Sequence, residues 1–247
     1  MRWTRPARRH LATTDAHRRL SRNPSDSRDI AHQAILPGVQ PSSTLVFVTE
    51  TLGLRERKKL GTRWALSDAA LELALERGLE NVTREDIANK AGVSLRTFNN
   101  YFTGKYEAVT FRQVDRTRQS LAAFRERPAD EPLWSAITEA MLQPLEAEGA
   151  TDMRPTPDER AVIRELLSSR DLRAALTRDL FADWVDAIAE RTGTDPARDM
   201  YPRLVTAVVR AIGETAMEAY SYADPPVPYT ELLRRGFADV AAGLPER

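Results

Sequence analysis

The sequence predicts an all-α protein in which a small N-terminal three-helix domain precedes a C-terminal helical bundle. Residues 83–105 form two short helical patterns joined by a tight turn, and apolar residues recur at helical spacing between the Pro and Gly breaks that follow. The apolar run at residues 45–49 could be a strand, but no second strand-like segment exists to pair with it.

Composition restricts the class of protein. The chain has 247 residues, 42% apolar content and no Cys, so it can bury one large or two modest helical cores without disulfides, as in a reducing cytoplasm. The sequence shows no apolar stretch typical of a signal peptide or a membrane span. We therefore expect a soluble cytoplasmic protein without a membrane partner.

Residues 1–52 combine many arginines with scattered Pro, Ser, Thr and Asp and lack a sustained helical period. They are either a disordered basic arm suited to polyanions, or the result of a translation start placed too early. We favour the second interpretation, with the natural protein beginning near Val46 or Val48, because alternative start codons encode valine.

A basic cluster leads into the first predicted helix. Residues 55–63 contain five basic side chains against Glu56, a local charge of +4, although the net charge of the chain is zero. Such a cluster steers toward phosphate, and the alternative is an ordinary solvated helix start.

The segment from Thr83 to Lys105 has the signals of a helix-turn-helix. Thr83 is placed to cap a first short helix, Gly92 to end it with a left-handed backbone, and Ser94 to cap a second helix. Phe98 and Phe102 lie four residues apart on one face, which we expect to be buried. The other faces of this helix carry Arg96, Thr97, Asn99, Asn100 and Tyr101, which can then face outward. There, Arg and Asn side chains can discriminate base edges in a DNA major groove. The alternative is a helical hairpin whose polar face is merely solvated.

Lys105 opens the next predicted helix, at the end where the helix dipole disfavours a cation. A nearby phosphate explains this placement better than helix stability does.

Residues from about Arg55 to Val109 resemble the DNA-binding domain of the TetR family of transcriptional regulators. The matching positions are Leu66, Ala69, Ala70, Leu73, Gly78, Thr83, Ile87, Ala88, Ala91, Gly92, Val93, Thr97, Phe98, Tyr101, Phe102 and Lys105. The sequence departs from the usual family pattern at Ala74, Asn99, Gly104 and Tyr106.

The resemblance implies a set of residues that contact DNA, partly through the recognition helix and partly through phosphates. We expect these to be Lys58, Lys59, Thr83, Arg84, Ser94, Leu95, Arg96, Thr97, Asn99, Asn100, Tyr101 and Lys105.

Beyond this domain the pattern predicts five more helices, near residues 106–126, 131–148, 157–191 with a break around 168–171, 196–222 and 228–243. The last two carry broad apolar faces; that of the last consists of Leu232, Leu233, Phe237, Val240 and Leu244. These faces are either intramolecular core or a surface that pairs across a two-fold axis. The resemblance, and the need to present two recognition helices one DNA turn apart, favour a homodimer formed through the last two helices.

The C-terminal half resembles the ligand-sensing domains of actinobacterial TetR members that bind acyl-CoA-like molecules. The resemblance implies a cavity lined by apolar and aromatic residues, although most of these could equally be plain core. The candidates are Trp134, Ile137, Met141, Ile163, Leu167, Phe181, Trp184, Val185, Tyr201, Val205 and Val209. Charge for a phosphate or carboxylate could come from Arg154, Arg160, Arg164 or Arg170.

The sequence contains no catalytic constellation, and all three histidines fall within residues 1–52. We therefore expect no enzyme activity, no cofactor and no metal site. The sequence predicts a ligand-responsive homodimeric repressor, with residues 53–109 binding a palindromic double-stranded DNA operator and residues 110–247 binding an apolar or acyl-CoA-like effector. The alternative is a helical module that binds a lipid-like ligand and retains a vestigial helix-turn-helix.

Overall fold

The computed structural model describes residues 53–171 and 181–246, and in these ranges it contains α-helices and one short 3-10 helix but no strand. The all-α prediction is therefore confirmed for the described residues. The helices are α1 (Leu54–Arg77), α2 (Arg84–Lys90), α3 (Leu95–Tyr101), α4 (Lys105–Glu126), α5 (Leu133–Ala147), α6 (Pro157–Ser168), α7 (Ala182–Thr192), α8 (Tyr201–Tyr222) and α9 (Tyr229–Ala241), with the 3-10 helix at Leu79–Asn81.

A first hydrophobic core lies among α1, α2, α3 and the beginning of α4. Leu66, Ile87 and Phe98 are fully buried in it, and Phe111 extends it onto α4. Leu166 of α6 belongs to the same core, so a helix far along the chain packs against α1.

A second core lies among α5, α7, α8, α9 and the later part of α4. Its centre includes Phe124, Ile137, Trp184 and Phe237, with the rings of Phe124 and Trp184 5.3 Å apart between centroids. Since Phe111 and Phe124 lie on the same helix, α4 connects the two cores as one rigid element.

Several predicted boundaries shift for local reasons. The helix predicted at 196–222 begins at Tyr201, because Asp195 and Asp199 form a turn in which the Asp199 carboxylate accepts from the Asp195 amide at 2.7 Å. α9 ends at Ala241, so Leu244 lies beyond it and is exposed rather than part of an apolar stripe. The predicted break after residue 168 is confirmed, because α6 ends at Ser168.

The predictions for residues 1–52, including the apolar run 45–49, lie outside the described residues, as does the part of the predicted 157–191 helix at residues 172–180. Within the described ranges, no helix combines the length and apolarity needed to cross a bilayer.

Candidate nucleic-acid interface and ligand cavity

The beginning of α2 is held by a reciprocal cap. The Thr83 hydroxyl accepts from the Asp86 amide at 3.1 Å, and the Asp86 carboxylate accepts from the Thr83 amide at 2.9 Å. These hydrogen bonds from Thr83, together with an ion pair to Arg77 at 2.8 Å, lower the pKa of Asp86 from 3.8 to about 2. The predicted N-cap is confirmed, and its carboxylate also ties the end of α1 to the start of α2.

The turn between α2 and α3 has the predicted chemistry. Gly92 has a φ of +68°, a left-handed backbone that residues with a Cβ rarely adopt, and the Val93 amide donates to the Ala88 carbonyl at 2.9 Å. Ser94 then caps α3, because its hydroxyl accepts from the Thr97 amide at 3.1 Å. Both ends of the turn are thus set by local hydrogen bonds.

Helix α3 has one buried face and one polar face. Phe98 is fully buried and its ring lies 5.9 Å from that of Phe102, which in turn lies 5.6 Å from that of Phe111 in α4. Arg96, Asn99 and Asn100 are exposed on the remaining surface, as predicted from the spacing. The contacts among these three rings therefore anchor the buried face of α3, while the polar side chains of α3 face solvent.

The other residues predicted to contact DNA surround this face. Thr83, Arg84 and Ser94 are exposed, whereas Leu95, Thr97 and Tyr101 are half-buried. A guanidinium nitrogen of Arg84 donates to the Asn99 carboxamide oxygen at 3.5 Å, so the start of α2 and the exposed face of α3 form one surface.

Lys105 has an intramolecular role that the sequence did not indicate. Its ammonium donates to the backbone carbonyls of Leu79 at 2.9 Å and Glu80 at 3.2 Å, and the side chain is only 20% exposed. This contact with the 3-10 helix is enough to explain a lysine at the start of α4, without a phosphate. An ammonium has three donors, so the two carbonyls leave one that a phosphate could use.

The basic residues at the start of α1 divide into two groups. Arg55, Arg57, Lys58 and Lys59 are exposed. Arg63 instead packs inward, with its guanidinium 4.8 Å from the centroid of the Phe111 ring. The exposed phosphate-attracting cluster is therefore smaller than the sequence count suggested.

A cavity of about 180 Å³ lies where α1, α4, α5, α6, α8 and α9 meet. Its lining includes Leu71 and Leu75 from α1, Val109 from α4 and Ile163 from α6. A second cavity of about 130 Å³ shares Gln113, Leu167, Met217 and Tyr229 with the first. The two cavities therefore adjoin.

Five of the residues predicted to line a cavity do line one of these two, namely Met141, Ile163, Leu167, Phe181 and Val209. The other six line neither: Ile137, Trp184 and Val205 are core residues, Trp134 and Val185 are half-buried, and Tyr201 is 47% exposed. The apolar pattern could not separate core from cavity, because both are made of the same residue types.

The polar lining was not predicted. Arg112 donates to both carboxylate oxygens of Asp68, each at 2.7 Å, and Arg116 makes a similar pair with Glu148. Tyr220 and Tyr229 also line the first cavity, and burial raises the pKa of each phenol to about 12. Both phenols are therefore neutral at pH 7.

The arginines considered for anion binding do not line either cavity. Arg160 donates to the Ala223 carbonyl and Arg164 to the Ser221 carbonyl, both at 2.7 Å, so they join α6 to the end of α8. Arg154 and Arg170 are exposed.

Both halves of the chain match known protein families. Residues 66–111 match the family of bacterial regulatory proteins called tetR, and residues 131–245 match the MftR C-terminal domain. The HTH-type transcriptional regulator TcmR of Streptomyces glaucescens is 34% identical over 187 residues, which cover 70% of this chain and 79% of TcmR. The putative mycofactocin biosynthesis transcriptional regulator MftR of Mycobacterium tuberculosis is 27% identical over 191 residues, covering 76% of this chain and 93% of MftR.

Among solved structures, that of the fatty acid degradation regulator FadR from Bacillus halodurans is similar with a TM-score of 0.50 at 17% identity. The match covers 75% of this chain and 97% of that protein. At this level of identity the similarity concerns the fold alone.

Proposed function

Because the chain belongs to the TetR family of transcriptional regulators, we propose that it is a homodimeric repressor that binds a palindromic operator and releases it when a small apolar or acyl-CoA-like effector binds. In this proposal residues 53–109 bind DNA, and residues 110–247 form the dimer and most of the effector cavity, to which Leu71, Leu75 and Val109 also contribute. The protein acts in the cytoplasm, where its operator lies. Regulation of this kind depends on binding alone and requires no catalytic residue or cofactor.

The observation that carries the proposal is the polar face of α3. Arg96, Asn99 and Asn100 are exposed on a helix whose opposite face is anchored by buried Phe98. Arg and Asn are the side chains that most often make paired hydrogen bonds to guanine and adenine edges. A fixed helix with these residues outward is suited to a major groove.

The position of the first cavity supports control by an effector. Leu71 and Leu75 of α1 line it together with residues of α4 and α6, and α1 also forms the core behind α3. A molecule that fills the cavity would therefore press on the helices that position the recognition surface. A coupling free energy of about 1–3 kcal/mol is typical between such sites.

The proposed dimer is supported by the outer surface of α8. Tyr201, Leu204 and Tyr222 are 47%, 50% and 64% exposed, which is high for large apolar side chains on one helix. We expect the wild-type protein to sediment as a dimer, and Leu204→Glu to shift it toward a monomer. A monomeric wild type at micromolar concentration would contradict this part of the proposal.

The test of DNA binding is a gel shift on the DNA upstream of the protein's own gene, with the variants Arg96→Ala and Lys58→Ala. Arg96→Ala should weaken specific binding by about 1–3 kcal/mol and relax base preference. Lys58→Ala should weaken binding to all DNA sequences alike, and it should reduce the slope of log affinity against log salt concentration by about 1. Lys58 replaces Lys105 as the phosphate variant, since Lys105 also holds two backbone carbonyls.

Arg118→Ala, an exposed arginine on α4 outside the helix-turn-helix, is the matched control and should bind like wild type. If Arg96→Ala also binds like wild type, the assigned role of α3 is wrong. In that case the alternative of a ligand-binding module with a vestigial helix-turn-helix would be preferred.

A further inference from the structure

The first cavity contains a buried hydroxyl that has no partner among residues 53–171 and 181–246. Tyr220 is 3% exposed, its side chain lines the cavity, and its hydroxyl makes no hydrogen bond to these described residues. A buried donor without a partner is unfavourable, and native proteins rarely retain one without a reason. Its position in a cavity gives a bound ligand the room to supply that partner.

Three neighbouring hydroxyl groups in the same lining already have partners. The Tyr229 hydroxyl donates to the Gly213 carbonyl at 3.4 Å, and the Thr230 hydroxyl donates to the Thr151 carbonyl at 2.6 Å. The Thr110 hydroxyl donates to the carbonyl of Tyr106, one turn earlier in α4, at 2.9 Å. The Tyr220 hydroxyl is therefore the buried group that a ligand can satisfy without breaking an existing bond. The half-buried Gln113 carboxamide, which also lines the cavity and has no side-chain hydrogen bond to another described residue, is a second, less enclosed group.

The charges of the described lining do not favour an anion. The guanidinium groups of Arg112 and Arg116 are each bound by a carboxylate, and Glu159 adds a further negative charge. Within residues 53–171 and 181–246, no cation of this lining lacks a carboxylate partner. A carboxylate or a phosphate-rich group would have to compete with Asp68 and Glu148 for these arginines.

The size of the cavity sets the scale of the ligand. An apolar cavity of about 150 Å³ can hold benzene, and the first cavity here is about 180 Å³ with a second of about 130 Å³ beside it. A compact molecule of about two fused rings matches this space. Most of the lining side chains are Leu, Ile, Val and Met, so most of such a ligand must be apolar.

We propose that the cavity binds an uncharged, compact and mainly apolar molecule whose carbonyl oxygen accepts a hydrogen bond from the Tyr220 hydroxyl. This inference rests on the proposed function, because it specifies the chemical class of the effector within the broader class of apolar or acyl-CoA-like molecules. The raised pKa of Tyr220, about 12, agrees with it, since the phenol remains a neutral donor throughout the physiological range.

Three probes with one skeleton test the proposal by ligand-observed NMR titration of the full-length protein without DNA. They are 2-acetylnaphthalene, 2-isopropenylnaphthalene, in which a methylene replaces the carbonyl oxygen, and 2-naphthoate, in which the group is anionic. Lauroyl-CoA is the fourth probe. We expect the ketone to bind wild type about tenfold more tightly than the alkene, since one net hydrogen bond has about this effect. Both anions should bind more weakly than the ketone.

Tyr220→Phe is the decisive variant because it removes only the hydroxyl. It should bring the ratio of ketone to alkene affinity close to one. It should not lower the melting temperature of the ligand-free protein, since the hydroxyl has no partner to lose among the described residues. Tyr229→Phe is the matched control and should keep the preference for the ketone, because the Tyr229 hydroxyl already has a partner.

The inference is overturned if no neutral probe binds at millimolar concentration, if either anion binds more tightly than the ketone, or if Tyr220→Phe retains the preference for the ketone. The gel shift on the upstream DNA, repeated with Tyr220→Phe, separates this failure from that of the proposed function. The Tyr220→Phe variant should bind DNA like wild type. If the wild-type protein does not bind the DNA, the proposed repressor function is refuted, but the ligand titrations are unaffected.

Discussion

The ion pair between Asp68 of α1 and Arg112 of α4 allows a quantitative test of how the two helices are held together. The guanidinium meets the carboxylate through two hydrogen bonds of 2.7 Å, and the side chains are 8% and 17% exposed for Asp68 and Arg112. Burial lowers the pKa of Arg112, but the hydrogen bonds and the charge of Asp68 outweigh this effect and raise it above its ordinary value. The arginine is therefore charged in the folded protein.

Asp68→Ala removes the carboxylate and leaves this charge largely buried without a partner. Truncating one member of a buried pair costs about 3–5 kcal/mol. The guanidinium lines the first cavity and retains some exposure, so we expect a loss near the lower end, about 3 kcal/mol. In Asp68→Leu/Arg112→Met both charges are replaced by apolar groups, and most of the stability should return.

Urea denaturation of wild type, the single variants Asp68→Leu, Asp68→Ala and Arg112→Met, and the double variant measures these free energies of unfolding. All proteins are compared at one protomer concentration, because dimerisation would add to the apparent stability. Arg210→Ala, which breaks the exposed pair with Glu214, is the control and should cost less than about 1 kcal/mol. The reasoning is refuted if Asp68→Ala costs less than about 1 kcal/mol, or if the double variant loses as much as its two single substitutions together.

Two further predictions concern α9 and the start of α2. Gly236→Ala would place a Cβ 2.8 Å from the Cγ2 atom of Ile212 in α8, so it should lower the melting temperature. Gly61→Ala, in the open part of α1, is the control and should raise the free energy of unfolding by about 1 kcal/mol. Equal effects of the two substitutions in a thermal melt would contradict the close approach of α9 and α8. The pKa of Asp86 lies at about 2 in the folded protein and 3.8 ordinarily, so the stability it contributes is complete above about pH 4 and is lost as the pH falls toward 2. Thr83→Ala should raise this pKa in a carboxyl-carbon NMR titration, and an unchanged midpoint would show that the cap does not cause the shift.

The helix-turn-helix was predictable in detail. Thr83, Ser94 and Gly92 act on backbone groups no more than a few residues away, so residue type and spacing were sufficient to place both caps and the turn. The spacing of Phe98 and Phe102 likewise showed which face of α3 would be buried, because i and i+4 positions share one side of a helix.

The long basic side chains near the same domain were less predictable. Arg63 and Lys105 were counted with residues available to phosphate, yet Arg63 packs on the Phe111 ring and Lys105 binds carbonyls of the 3-10 helix. Flexible cationic side chains reach several partners, and which one they meet depends on the helices packed around them.

By itself, the sequence determined the helical class, the caps and turn of the helix-turn-helix, and the polar face of α3, because these depend on hydrogen bonds and periodicity within a few residues. Only the tertiary structure decided where the cavity lies and that Tyr220 enters it without a partner among the described residues. The first cavity is the space left among six helices from different parts of the chain, and its shape depends on how closely their side chains pack. A pattern of apolar residues contains no information about a gap between helices, so the exposed polar face of α3 could be predicted whereas the cavity had to be observed.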